Sequence, residues 1–276
     1  MGRYTFSPNI HNLEQADLRA IIQIILVFVV IYSYFFHGGG WNQNSRFDTI
    51  RAVVEDGTFE ISRYAENTGD ISLIDNHVYS NKPPGVALIG VPIYSIVSKF
   101  ELWFGADLDN PYLMTANVHL LTFVLSGFPG VLLLVVIFLY FRREKVSVRN
   151  SLFLTGAFGC GTLILPYAGV MMSHNLVAFC LFTAWFLMTG PQKIENRLLI
   201  ICGTLLGIGL VSDYAVFPLI PIFALYLWLE DRSVRQITIF LMSPFIGVLV
   251  LGLYHLFIFD RLITTSYNFQ NPSLQD

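Results

Sequence analysis

Long apolar runs recur along this chain, at 20–36, 114–140, 151–171, 176–188, 198–228 and 237–259, with few charges inside them. A hydrocarbon core about 30 Å thick is crossed by about 20 residues rising 1.5 Å each, so most of these runs are long enough to span. Lipid offers the backbone no hydrogen-bond partners, and the runs must therefore be helices. Charged residues make up 13% of the chain, about half the share of a soluble domain, which excludes an ordinary soluble fold. The net charge of -3 leaves no basic stripe for phosphates and excludes a nucleic-acid partner. The three cysteines, Cys160, Cys180 and Cys202, sit inside apolar runs without metal-like spacing and read as small packing residues.

Sidedness follows from Lys and Arg in short loops, which stay in the cytosol. Arg142, Arg143, Lys145 and Arg149 form one such loop, Lys193 and Arg197 a second, Arg232 and Arg235 a third. The run 198–228 begins and ends beside basic loops, so it crosses twice and turns back near Ser212 and Asp213. Residues 1–19 carry Glu14 and Asp17 and make a poor cleavable signal, so the first run is expected to be a retained helix. The expectation is an all-α integral membrane protein of about seven transmembrane helices, with the N-terminus inside and the C-terminus outside. It forms a single membrane domain over 1–276: a first helix at 20–36, a long outer loop at 37–113 with interfacial helices, the remaining helices at 114–259 and an outer tail at 260–276. Residues 84–104 are apolar, but the next loop holds Asp107 and Asp109 and no cation, so this helix is expected on the outer interface.

This topology gathers the unusual polar residues on the outer face. In SRFDTIRAVVE (45–55), Phe47, Ile50, Val53 and Val54 recur at helical spacing, with Ser45 as the expected cap and Asp56-Gly57 as the stop; this predicts an amphipathic helix on the membrane surface. A turn-rich stretch follows, from Asn67-Thr68-Gly69-Asp70 to Lys82-Pro83-Pro84-Gly85. Ionisable groups at helix ends or within a membrane warrant a functional hypothesis. Each also has a plainer structural role. Asp70 suits a turn cap, Lys82 a headgroup contact, Arg46 a pair with Asp48 or Glu55, Asp213 a buried pair, and Tyr214 and Tyr267 the aromatic belt.

The segments NSRFDTIRAVVEDGTF (44–59), NTGD (67–70) and YSNKPPG (79–85), followed by SHN (173–175), GLVSDYA (209–215) and FDRLITTSY (259–267), resemble the GT-C membrane glycosyltransferases. More narrowly they are similar to bacterial family 39-like enzymes, relatives of protein O-mannosyltransferases and lipid A aminoarabinose transferases. In those relatives an acidic residue commonly precedes the arginine of the first surface helix, whereas here Asn44-Ser45 precede Arg46. Relatives are also usually longer, so a fragment or a short homologue is expected.

The resemblance implies an inverting enzyme that moves a sugar from a polyprenyl-phosphate donor to a lipid, glycan or protein acceptor. The setting it implies is the outer face of a bacterial plasma membrane. Asp70, then Asp48, is the candidate catalytic base. Arg46, Lys82 and Arg261 are candidates for the phosphate, and His174, Asp213 and Tyr267 for other substrate contacts. No cofactor is assigned; some relatives use a divalent ion, but Asp107-Leu108-Asp109 reads as loop. A lipid or solute carrier is the rival reading, because Asp213 and His174 suit a transport path as well. An inactive homologue is a third, motivated by the Asn44-Ser45 departure.

Overall fold

In the computed structural model, residues 14–190 and 194–270 are described. Lys193 of the second basic loop and the end of the tail, 271–276, lie outside them.

Helix α1, Gln15–Tyr34, opens on a capping box between Glu14 and Asp17. It stops before a glycine run whose Gly39 takes φ +85°, the left-handed region that glycine enters without cost. Helix α2, Trp41–Arg51, continues through a π turn, Ala52–Asp56, to Gly57. Strands β1, Ile71–Ile74, and β2, His77–Ser80, pair antiparallel with Ile71 opposite Ser80. Their two-residue turn is Asp75-Asn76, both at positive φ, the geometry that matches strand twist.

Helix α3 is Gly85–Trp103; α4, Pro111–Thr122, runs through a π turn into α5, Phe128–Arg143. Asn110 caps α4 by accepting from the amides of Tyr112 and Leu113, and Pro111 fills a first-turn position whose N–H has no helical partner. The remaining elements are α6, Val148–Gly161; α7, Ile164–Ala168; α8, His174–Thr189; α9, Asn196–Ser212; α10, Leu219–Leu229; and α11, Val234–Phe259. A 3-10 turn, Ser266–Phe269, ends the described chain.

Among the described residues the architecture is all-α apart from the short hairpin, and four helices are long and apolar enough to cross a membrane: Gln15–Tyr34, Gly85–Trp103, the continuous Pro111–Arg143, and Val234–Phe259. Shorter apolar helices are His174–Thr189, Asn196–Ser212 and Tyr214–Leu229. The helix break at Ser212-Asp213 falls where the charge pattern places the turn. One core joins α8 to α11 around Leu199, Leu206, Leu210 and Phe240; a second joins α1, α5 and α6 around Phe28, Tyr32, Leu134 and Phe138. Among the cysteines, Cys180 and Cys202 are buried and Cys160 is exposed; all are free.

Ion pairs sort the bundle into two ends. At one, Arg142 Nε reaches Asp17 at 2.6 Å, and Arg143 donates to the Phe186 carbonyl at 2.8 Å, tying the start of α1 to the ends of α5 and α8. At the other, Arg51 bonds Glu55 at 2.9 Å and Asp109 at 2.8 Å, and Arg63 reaches Asp109 at 3.1 Å. The loop after α3 is thereby held beside α2. The start of α3 is at that same end, because Gly85 rests on Ser212 at the end of α9.

Two expectations are corrected here. Ser45 is not a cap: α2 starts at Trp41, with Gly40 at the cap position, and Ser45 is fully buried. Nor does α2 lie on a surface, since every residue from Ser45 to Arg51 is buried. Its polar side chains find partners in the hairpin and in the loop before α4, so the polar face is buried along with Phe47 and Ile50. The hairpin itself falls in the stretch that reads from sequence only as turn-rich.

Helices α9 and α11 approach closely through glycine. A Cβ on Gly247 would lie 2.9 Å from the Gly207 carbonyl oxygen and 3.0 Å from its Cα. Gly247→Leu is expected to cost about 1–3 kcal/mol by overpacking, read as a lower unfolding midpoint in mixed micelles; an unchanged midpoint would contradict this packing.

Candidate functional site

The site is assembled at the end of the bundle that holds the hairpin. Asp70 precedes β1 and Lys82 follows β2, so strand pairing sets them side by side. The Asn81 amide donates to the Asp70 carbonyl at 3.3 Å, closing the ladder beyond the last strand pair. Ser45 of α2 clamps the base of the hairpin, donating to the same carbonyl at 2.7 Å and meeting the Ser80 hydroxyl at 2.6 Å. On this frame Lys82 Nζ reaches Asp70 Oδ2 at 2.9 Å, with both side chains largely shielded. The ammonium also lies 5.8 Å from the ring centre of Tyr267.

Arg46 enters from α2 and is 4% exposed. Its Nε donates to Asn42 Oδ1 at 2.9 Å, while Nη1 is buried without a hydrogen-bond partner. It pairs with neither Asp48 nor Glu55; Glu55 belongs to Arg51. Burial pushes the Arg46 guanidinium down to about 10, against the opposing pull of Tyr267, Asp213 and Asp70. Burial also lowers Lys82, Asp70 pulls it back up, and Arg46 depresses it further. Burial raises the Tyr267 phenol, opposed by Arg46. Arg46 thus feels Tyr267, Asp213 and Asp70, and Lys82 feels Asp70 and Arg46.

Asp213 caps the turn after α9 by accepting from the Ala215 amide at 3.1 Å and takes a bond from the Ser173 hydroxyl at 3.3 Å. His174, exposed at the start of α8, packs on Tyr167 and lies within reach of Asp213 and Arg46. Tyr214 turns inward rather than joining a belt, with its hydroxyl 2.9 Å from His255 Nε2 and 3.2 Å from the Ser266 hydroxyl. Ser266 in turn donates to the Asn81 carbonyl at 2.7 Å, fastening the tail to the loop that carries Lys82.

Arg261 is not brought in. It is exposed and stacks over Phe269 at 5.5 Å, because α11 ends at Phe259 and Asp260 turns the chain away in a left-handed conformation. Asp48 also stands apart, accepting from Asn67 Nδ2 at 3.4 Å rather than facing Lys82. Asp109 is engaged by Arg51 and Arg63, and among the described residues no group of three or more His, Cys, Asp or Glu is placed to hold a metal ion.

An apolar groove of about 230 Å³ lies between α3, α9 and α11, lined by Gly85, three residues after Lys82, and by Ile89, Ile208, Ser212, Ile246 and Gly247 among others. Ile89, Ile208 and Ile246 are exposed along it, so it is open laterally. The glycine of YSNKPPG has a physical reason here: a Cβ on Gly85 would stand 2.6 Å from the Ser212 amide nitrogen, preventing α3 from docking on α9. Sequence reasoning passed over Asn81, whose wholly buried amide has no partner for either polar atom, and Ser212, whose hydroxyl is likewise buried and unpartnered. Asn81 lies inside the YSNKPPG segment, so its motif was the available signal. Comparisons with family models, with characterised proteins and with solved structures find no match.

Asp48 generates a pH prediction. Burial lifts its carboxyl from 3.8 to about 7, with Asn67 and Arg51 opposing. An acid raised by folding holds its proton in the native state while the unfolded chain has released it, so stability falls as pH rises from about 4 to about 7. At about 1.4 kcal/mol per pKa unit the loss is at most about 4 kcal/mol. Asp48→Asn is therefore expected to be the more stable protein above pH 7 and to match wild type near pH 4, measured by denaturant unfolding across pH. A parallel pair of pH profiles would contradict this.

Proposed function

We propose that this chain is a GT-C-type membrane glycosyltransferase, moving a sugar from a polyprenyl-phosphate donor to an acceptor on the outer face of the plasma membrane. What supports this reading is the shielded Lys82–Asp70 pair, with the buried Arg46 drawn by the same carboxylate, on a chain segment that reaches the groove lining three residues later at Gly85. A phosphate on a long isoprenoid chain asks for that combination. Its tail needs an apolar path open to the bilayer, and its headgroup needs cations where water is scarce, since a low dielectric strengthens them.

The sidedness belongs to the same reading. With the Arg142 loop in the cytosol, α1, the α4–α5 rod, α6 with α7, α8, α9, α10 and α11 give about seven crossings and put the hairpin outside. Helix α3 then starts and ends on the outer side, held there by Gly85 on Ser212 and by Asp109 on Arg51 and Arg63. It lies in the interface, with Ile96, Phe100, Trp103 and Phe104 exposed to lipid.

In the reaction the acceptor hydroxyl or amine attacks the anomeric carbon opposite the phosphate. The bond to the phosphate oxygen breaks with its electron pair, and the acceptor's proton passes to a carboxylate. Asp70 is the first candidate for that carboxylate because it is held beside Lys82 on the hairpin frame; Asp48, buried one helical turn from the Asn44 position, is the second. Lys82 and Arg46 hold the charge that develops on the leaving phosphate.

In a transfer assay in lipid nanodiscs with a polyprenyl-phosphate sugar, Lys82→Ala and Asp70→Asn are each expected to lower the rate by about a hundredfold or more. Both variants should still assemble in the membrane. Wild-type rates in both would remove the assignment.

A further inference from the structure

The ion pair between Asp70 and Lys82 raises a difficulty for any base at this position. One of the two carboxylate oxygens that could take the acceptor's proton, Asp70 Oδ2, is covered by the ammonium at 2.9 Å. Among the described residues, Asp70's side chain makes no other hydrogen bond or ion pair that competes for it. Lys82 is likewise held by this carboxylate and by the face of Tyr267. The backbone beneath both residues is fixed by strand pairing, by the Ser45 clamp and by Ser266 on the Asn81 carbonyl. Any change must therefore be made by the side chains.

The charges nearby suggest what the change is. Lys82 is paired with Asp70, and Arg46 is drawn by Asp70 and Asp213, so two cations meet two acidic side chains before a ligand arrives. A sugar phosphodiester brings one negative charge, and the phosphate monoester left after transfer carries about 1.5 to 2 at neutral pH. Arg46 already has a buried, unpartnered Nη1 to offer. The further charge draws the more flexible cation, Lys82, whose stem rotates while its point charge needs no fixed orientation.

Resting on the reading above, we infer that Lys82 is exchanged between Asp70 and the donor phosphate, so that binding the lipid phosphate uncovers Asp70 as the base. The step balances. The acceptor oxygen or nitrogen bonds to the anomeric carbon and its proton goes to Asp70 Oδ2. The anomeric carbon–oxygen pair leaves on the phosphate, and Lys82 follows that charge. Asp70 gives up its cation on donor binding and then takes the acceptor's proton, while Lys82 stays paired with the phosphate, so no lone ammonium persists. Without donor, Lys82 stays on Asp70 Oδ2 and keeps that oxygen from water or acceptor.

Two measurements on the full chain in nanodiscs test this, with a long-chain polyprenyl monophosphate as the probe and the matching polyprenol as control. In the first, wild-type Asp70 is modified with a water-soluble carbodiimide and an amine and quantified by mass spectrometry; the phosphate lipid is expected to raise modification severalfold and the alcohol to leave it unchanged. In the second, Asp70→Asn, which frees Lys82 from its competitor, is expected to bind the phosphate lipid about tenfold more tightly than wild type. No binding of the phosphate lipid to wild type overturns the proposed function and the exchange with it. Binding with Asp70 modification unchanged, or raised equally by the alcohol, or with Asp70→Asn no tighter, overturns the exchange alone.

Discussion

Arg51 is the interaction on which the assembly at the hairpin end of the bundle depends. Its guanidinium is buried and bridges Glu55 on its own helix to Asp109 in the loop after α3, with Tyr64 stacked over it at 4.5 Å. A buried cation stripped of its partners would cost several kcal/mol, so the loop that supplies Asp109 cannot leave. Helix α3, long and apolar enough to cross, is thereby returned to the end of the bundle where it began. Tyr94 on α3 donates to Glu55 at 2.7 Å and adds a tether from the middle of the helix. Held at both ends, α3 forms one wall of the groove, with α9 and α11 as the others.

The groove and the charged cluster share one joint. Gly85 and Ser212 touch there, Lys82 lies just before the first and Asp213 just after the second. An apolar channel open to lipid thus ends where cations are partly desolvated and hydrogen-bonding groups lack partners. Buried polar atoms without partners are uncommon in folded proteins and call for a reason. Arg46 Nη1, the side-chain amide of Asn81 and Ser212 Oγ are such atoms, and Ser212 lines the groove. An arriving headgroup that supplies acceptors and donors relieves that deficit, and so gains binding energy from the unsatisfied resting state.

Much of this was legible in the chain. The apolar runs mark the helices, and the paired basic loops locate the reversal at Ser212-Asp213 without any structural help. YSNKPPG marks the loop that delivers Lys82. What was not legible depends on distant partners. The burial of α2 is decided by the hairpin and by Asp109, 58 positions beyond Arg51, and helical periodicity carries no information at that range. Asp75-Asn76 is a sound hairpin turn, yet its flanking strands are only four residues long and polar enough to read as loop. Arg261 was misplaced for a local reason: the left-handed Asp260 redirects the chain just where α11 ends. The Tyr214–His255–Ser266 network joins residues up to 52 positions apart and had no local signature.

The central claim is that a lipid phosphate lies with its head between Arg46 and Lys82 and its chain between α3, α9 and α11. Photo-crosslinking with a polyprenyl phosphate carrying a diazirine near the head of its chain tests it most directly. Adducts mapped by mass spectrometry are expected at Ile89, Ile208 and Ile246, and to disappear under excess unlabelled polyprenyl phosphate. Adducts spread evenly over the lipid-facing helices, or concentrated on α1 and α6, would contradict it.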